Sequence, residues 1–196
     1  MIDFTATADV VAPQLLGAVI SRGDVAIRLT EVEAYLGVGD PASHSYKGPT
    51  PRCATMFGPP SHVYVYASYG IHRAGNLVCA PEGTGSGVLM RAGEVLSGWD
   101  EVRSRRGERA LDAGLARGPG NLGSALGLSL EDDGALLGQF GPAKSAAFHL
   151  EAPTRRVEGV RGRRIGISRN VDAPLRFWIP GDPTVSSPRT RRTALA

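Results

Sequence analysis

The chain has 196 residues, 42% hydrophobic and 21% charged, with a formal net charge of +3. That length suits one domain, because single cores span roughly 100–200 residues. The longest apolar run, Val63–Ala67, is far short of the about 20 residues that cross a bilayer. Nor does Met1-Ile2-Asp3-Phe4 begin a basic-then-apolar signal peptide.

In chain order, residues 8–21 are expected to be partly helical from near Val11 or Ala12, with Pro13 in the first turn. Residues 25–35 alternate and predict a strand. The Gly-, Pro- and Ser-rich stretch 37–61 reads as a long loop, a feature that is often functional. Residues 62–69 alternate again, Gly70 permits a tight turn, and 75–80 supply a hairpin partner. A further strand is expected at 87–95, a charged helix over 97–116, a turn at Gly118-Pro119-Gly120 and a short helix at Asn121–Leu126. Three more strands are expected at 147–151, 163–168 and 175–179, and the end from Ser186 should fray. Strands dominate the first half without βαβ alternation. The expectation is therefore α+β, a single domain with a curved, mostly antiparallel β-sheet flanked by helices. It should span 1–185, with 186–196 a flexible tail.

Two cysteines, Cys53 and Cys79, make neither a disulfide framework nor a Cys-x-x-Cys pair, so a reducing cytoplasm is the expected compartment. Charge is divided unevenly. Residues 1–100 carry 6 Lys/Arg against 9 Asp/Glu, and residues 101–196 carry 16 against 10. Only Lys47 and Lys144 are lysines; arginine forks suit phosphate geometry. The arginine clusters, such as Arg161-Arg163-Arg164 and Arg189-Arg191-Arg192, fit a solvated basic face or a polyanion partner.

All five tyrosines (35, 46, 64, 66 and 69) fall in one 35-residue window, with His44, His62 and His72 in or beside it. The cluster fits a tyrosine-rich sheet face or a platform on which flat rings stack. Glu31, Glu33 and Tyr35 share one face of a strand. Glu33 is then a rim carboxylate or a general base whose pKa burial raises. The spacing His44, His62, His72 matches no metal-site pattern, so no metal is expected. Gly83-Thr84-Gly85-Ser86-Gly87 lacks the context of a phosphate loop, and there is no nucleophile elbow.

Several ordered blocks resemble the alkyladenine (3-methyladenine) DNA glycosylase family. They are Glu31-Val32-Glu33-Ala34-Tyr35-Leu36-Gly37, His44-Ser45, Thr50-Pro51-Arg52, Met56-Phe57, Val63-Tyr64-Val65-Tyr66, Tyr69-Gly70, Asn76, Val88-Leu89-Met90-Arg91-Ala92 and Arg117-Gly118-Pro119. Arg164-Ile165-Gly166-Ile167 and Pro174-Leu175-Arg176-Phe177 continue the match, which runs from about residue 8 to 185. The resemblance implies excision of alkylated purines, and of hypoxanthine in many members, from double-stranded DNA, without a cofactor. It implies that Glu33 activates the attacking water and that Arg91 and the Ile165 carbonyl help hold it. Tyr35, His44 and Tyr66 would sandwich the flipped base, Asn76 would bar guanine, and Tyr69 would fill the gap left in the duplex. Thr50, Arg52, His72 and Arg73 would contact the DNA strands. Departures are Asn121, where the family often has lysine, polar His72-Arg73 after the wedge, and a shorter loop between His44 and Thr50. The available amines (Lys47, Lys144 and the N-terminus) fall outside the matched pocket, so no Schiff-base lyase step is expected. A monomer is the expected state. The rival readings are a catalytically silent nucleic-acid-binding module of the same fold and a hydrolase of free nucleosides. The first would not need Glu33, and the second would need neither Tyr69 nor a basic half.

Overall fold

The structure, a computed structural model, describes residues 1–68, 70–139, 146–186 and 193–194. Ten strands occur among them: β1 (Val19–Arg22), β2 (Val25–Tyr35), β3 (His62–Ser68), β4 (His72–Cys79), β5 (Ser86–Ser97), β6 (Ala135–Gly138), β7 (Phe148–Glu151), β8 (Val160–Gly162), β9 (Arg176–Trp178) and β10 (Thr193–Ala194). They form one sheet in the order β1-β7-β6-β3-β4-β5-β2-β9-β8-β10, and β1 also pairs with β2. Seven strands thus close into a barrel-like ring from which β9, β8 and β10 extend. The long strand β2 makes this possible. Its Val25–Arg28 part pairs with β1 and its Glu31–Glu33 part with β9, while its other edge follows β5. Every pairing is antiparallel except β6 with β7.

Strand β2 also carries the device that builds the site. In its first half Val25, Ile27 and Leu29 face the core; in its second half Val32 and Ala34 do. A strict period of two cannot join these sets. The register with β5 steps from Leu29↔Gly93 to Glu31↔Ala92, which leaves Thr30 as an extra residue. It then steps to Val32↔Met90, which leaves Arg91 extra on β5. Such bulges re-aim side chains. Here they turn Glu31, Glu33 and Tyr35 away from the apolar core.

Helix α1 (Ala8–Val11) runs into a 3-10 turn at Ala12–Leu15. Helix α2 is Trp99–Arg106 and α3 is Pro119–Leu126. Leu122, Ala125 and Leu126 of α3 join the core with Leu15, Ile20, Leu77 and Phe148. Gly123 lets α3 press onto the start of β4: a Cβ there would lie 1.9 Å from the Arg73 carbonyl oxygen.

Several expectations are corrected. The first helix begins at Ala8, and its expected end, Val19–Ile20, belongs to β1. The loop 37–61 contains 3-10 turns at Gly37–Gly39 and Pro51–Phe57. The helix expected over 97–116 stops at Arg106, because Gly107 takes φ +89°. No strand forms at 163–168; Val160–Gly162 pairs instead, and the next residues turn inward to the site. Ser186, expected to start a frayed end, is buried, and Thr193–Ala194 pairs with β8. No helix among the described residues is long and apolar enough to cross a membrane.

Candidate active site

One row of residues crosses the sheet. Tyr64 on β3 lies opposite Asn76 on β4, Asn76 opposite Leu89 on β5, and Leu89 opposite Glu33 on β2, which lies opposite Arg176 on β9. Tyr64, Asn76 and Leu89 line a cavity of about 280 Å³, together with Tyr35, His44, Tyr66 and Arg91. Ile165–Ile167 close one side, and Ser68 and Pro119 bound it. That volume is at the small end for ligand sites. It suits a single heterocyclic base better than a larger molecule.

The aromatic wall is ordered. Tyr64 and Tyr66 stack with centroids 5.6 Å apart and an interplanar angle of 23°. His44 meets Tyr66 edge-on at 4.6 Å, and its Nδ1 lies 3.2 Å from the Tyr64 hydroxyl. Partial burial, then the Arg52 charge, hold the His44 pKa below its usual value, which favours neutral imidazole. Arg52 itself is exposed, 6.0 Å from the Tyr66 ring.

Glu33 has no exposed surface. Its Oε1 accepts the Ile165 N–H at 2.7 Å. Its Oε2 accepts the Tyr35 hydroxyl at 3.0 Å and Arg91 Nη1 at 3.3 Å. Burial raises its pKa above the ordinary value of 4.5, against the lowering effect of Arg91, the Ile165 N–H and Tyr35. Burial and then the Glu33 charge push the Tyr35 hydroxyl well above the usual tyrosine range, so it stays a donor. Burial disfavours the Arg91 charge, but Glu33 and Glu31 outweigh it and keep the guanidinium protonated. The arrangement is a buried carboxylate of raised pKa beneath an aromatic-walled cavity, which is suited to taking a proton from water.

Behind Tyr35, the Arg164 guanidinium lies 4.6 Å from the ring centroid. Arg164 pairs with Asp40 at 2.5 and 2.8 Å, and neither side chain has exposed surface. Asp40 also accepts the Ala42 N–H and Asn170 Nδ2, which ties down the segment leading to His44. Asn76 is 4% exposed, and its Nδ2 has no hydrogen-bond partner among the described residues.

The structure brings together Glu33, Arg91, Ile165, Tyr35, His44, Tyr66 and Asn76. Ile165 meets Glu33 through its N–H; its carbonyl, which the resemblance assigns to holding the water, is a separate group. Thr50 is exposed, with its hydroxyl 3.1 Å from Cys53 Sγ. His72 is exposed and packs beside Gly120 of α3, and half-buried Arg73 follows it. Asn121 turns its amide back to the Arg117 carbonyl at 2.8 Å. Tyr69, Lys144 and the Arg189-Arg191-Arg192 cluster lie outside the described residues. Lys47 is exposed and does not line the cavity. Sequence reasoning missed Asp40 and Ser186 as parts of the site's support. The Arg164 partner of Asp40 is 124 residues away and the Glu31 partner of Ser186 is 155 away, and only the phase slip in β2 hinted at such a cluster.

The family model for methylpurine-DNA glycosylase matches residues 2–183. The chain belongs to the methylpurine-DNA glycosylase family. It is 62% identical to a protein of Corynebacterium jeikeium over 97% of this chain and 92% of that protein. It is 58% identical to one of Cutibacterium acnes over 97% and 100% respectively, and 49% identical to one of Nocardia farcinica over 91% and 85%. Each carries the name "Putative 3-methyladenine DNA glycosylase". The methylpurine-DNA glycosylase family consists of hydrolytic DNA-repair enzymes, and this chain is a DNA glycosylase of that kind. An enzyme that does chemistry on a base of a duplex must first take that base out of the stack.

Proposed function

We propose that the enzyme flips alkylated purines, 3-methyladenine and 7-methylguanine first and hypoxanthine second, out of duplex DNA and hydrolyses their N-glycosidic bond. The observation that carries this reading is Glu33, buried without exposed surface and held by Tyr35, Arg91 and the Ile165 N–H under an aromatic-walled cavity. The extruded base stacks between Tyr35 on one side and His44 with Tyr66 on the other. A purine made cationic by alkylation gains a further cation–π attraction of about 0.5–2 kcal/mol. Glu33 takes a proton from water as its oxygen attacks the sugar C1′. The C1′–N bond breaks, and its electron pair leaves with the base, neutralising a cationic purine. Arg91 steadies the water and the carboxylate.

Asn76 supplies selection. Its unpartnered Nδ2 is a donor at the cavity wall. A buried donor without a partner is costly, and the exocyclic amine of guanine offers it another donor; 7-methylguanine carries the same amine and is released in spite of it, because its positive charge already makes it a good leaving group. Tyr69 fills the vacated stack, an aromatic wedge that offsets lost stacking. Arg52, Thr50, His72 and Arg73 contact the strands around the mouth. One chain supplies every wall of the cavity, so a monomer suffices. The test is single-turnover release from three duplexes carrying 7-methylguanine, hypoxanthine or unmodified guanine. The reading requires release in that order of rate, with none from guanine. Hypoxanthine lacks the guanine amine, so release of guanine at the hypoxanthine rate would refute the role given to Asn76, and activity on free nucleosides alone would refute the duplex substrate.

A further inference from the structure

Glu31, two residues before Glu33, has no exposed surface and does not line the cavity. Among the described residues it nevertheless accepts four hydrogen bonds. Arg91 Nε reaches Oε1 at 3.2 Å, Arg176 Nε at 2.5 Å and the Ser186 hydroxyl at 2.9 Å, while the Ser186 N–H reaches Oε2 at 2.6 Å. Arg91 is therefore gripped along its fork. Nε goes to Glu31 and Nη2 to the Ser186 hydroxyl at 3.4 Å, which turns Nη1 toward Glu33.

The segment that delivers Ser186 is a strap across the Thr30 bulge. The Ile179 N–H bonds the Thr30 carbonyl at 2.9 Å, and the Thr184 and Thr30 hydroxyls lie 2.7 Å apart. Arg28 pairs with Asp182 at 2.9 Å, and Arg117 bonds the Pro183 carbonyl. Arg176 Nη2 also bonds the Ser186 carbonyl at 3.0 Å. Two buried carboxylates and two guanidiniums are thus locked in one cluster. Buried ions are costly to desolvate and gain only where geometry and hydrogen bonds are complete, so this cluster is poorly explained as a simple contribution to stability.

We propose that Glu31, with Ser186 of the strap, is a positioning residue that orients Arg91 against Glu33 for the water-activating step. This rests on the glycosylase reading above. Glu31 acts through Arg91 and touches neither base nor water. It also divides the Arg91 charge between two carboxylates, so that Glu33 does not receive the whole of it. The groups facing Glu33 are Glu31 and Tyr35 on β2, Arg91 on β5, Arg176 on β9, and Arg164, paired with Asp40, beside Ile165.

The test compares wild type, Glu31→Gln and Ser186→Ala in single-turnover release from a 7-methylguanine duplex across pH, with duplex Kd measured on the same samples. Glu31→Gln removes a like charge near Glu33 and leaves Arg91 to it alone. Its acid limb should move to lower pH while the plateau rate falls roughly ten- to hundredfold, the cost of misplacing a catalytic group. Ser186→Ala keeps the backbone N–H bond and the charges. It should lower the plateau less and leave the limb in place. Duplex Kd should hold in both. Wild-type rates and limbs in both variants overturn the inference, as does a rate loss in Glu31→Gln with an unmoved limb, the mark of a purely structural role. If wild type itself releases no base, the glycosylase reading falls and this inference with it; active wild type with unchanged variants overturns this inference alone.

Discussion

Replacing Asp40 by alanine should cost more stability than any single exposed substitution. Asp40 accepts hydrogen bonds from Leu36 N, Ala42 N, both Arg164 terminal nitrogens and Asn170 Nδ2. Its removal leaves the Arg164 guanidinium buried and unpaired, a defect worth about 3–5 kcal/mol. At roughly 2–4 °C per kcal/mol for a chain of this size, the melting temperature should drop by roughly 6–20 °C. The pH dependence has a definite sign. Burial would raise the Asp40 pKa, but the bonds from Arg164 and Asn170 outweigh it and hold the carboxyl below the ordinary 3.8. Its contribution is therefore fully present above about pH 3.8 and is lost as pH falls through the lower folded-state value. Thermal and urea unfolding from pH 7 down to pH 2 should show a constant gap between wild type and Asp40→Ala that narrows only at the acid end. A drop below roughly 2 °C, or a gap unchanged to pH 2, would refute the reasoning. The same variant should slow base release, because Arg164 backs Tyr35 and precedes Ile165.

Other outcomes follow from the same geometry. Gly123→Ala forces a Cβ toward the Arg73 carbonyl oxygen and should cost about 1–3 kcal/mol in urea unfolding; a neutral result would mean that α3 packs less tightly on β4. Arg91→Met removes the charge that lowers the Glu33 pKa, so the acid limb of any residual activity should move to higher pH, as a pH–rate profile would reveal. Burial pushes the Cys79 thiol up to about 12, and Cys53 is buried as well. A thiol reagent at pH 8 should therefore modify the native protein slowly and both cysteines rapidly after unfolding.

Much of this was legible in the sequence. The alternation in 25–35 and 62–69 marked β2 and β3, and the tyrosine and histidine cluster marked the aromatic wall. The phase slip in β2 was also written there: Leu29 and Val32 both reach the core although three residues apart, which only a bulge at Thr30 permits. A single alternating period hid it. The strand expected at 163–168 failed for a tertiary reason. The Arg164 side chain is drawn inward by Asp40, and the Ile165 N–H is committed to Glu33 rather than to a ladder. Ser186 resembled a loose end because its partner, Glu31, lies 155 residues earlier, and no local pattern encodes such a pairing.

The most direct test of the central claim is single-turnover release from a 3-methyladenine duplex by wild type and Glu33→Gln, with duplex binding measured in parallel. Glutamine keeps the size of the side chain but cannot take the proton. Release by wild type, lost in Glu33→Gln by roughly 10²-fold or more with duplex binding retained, is the predicted result. A Glu33→Gln enzyme that releases the base at the wild-type rate would contradict the account.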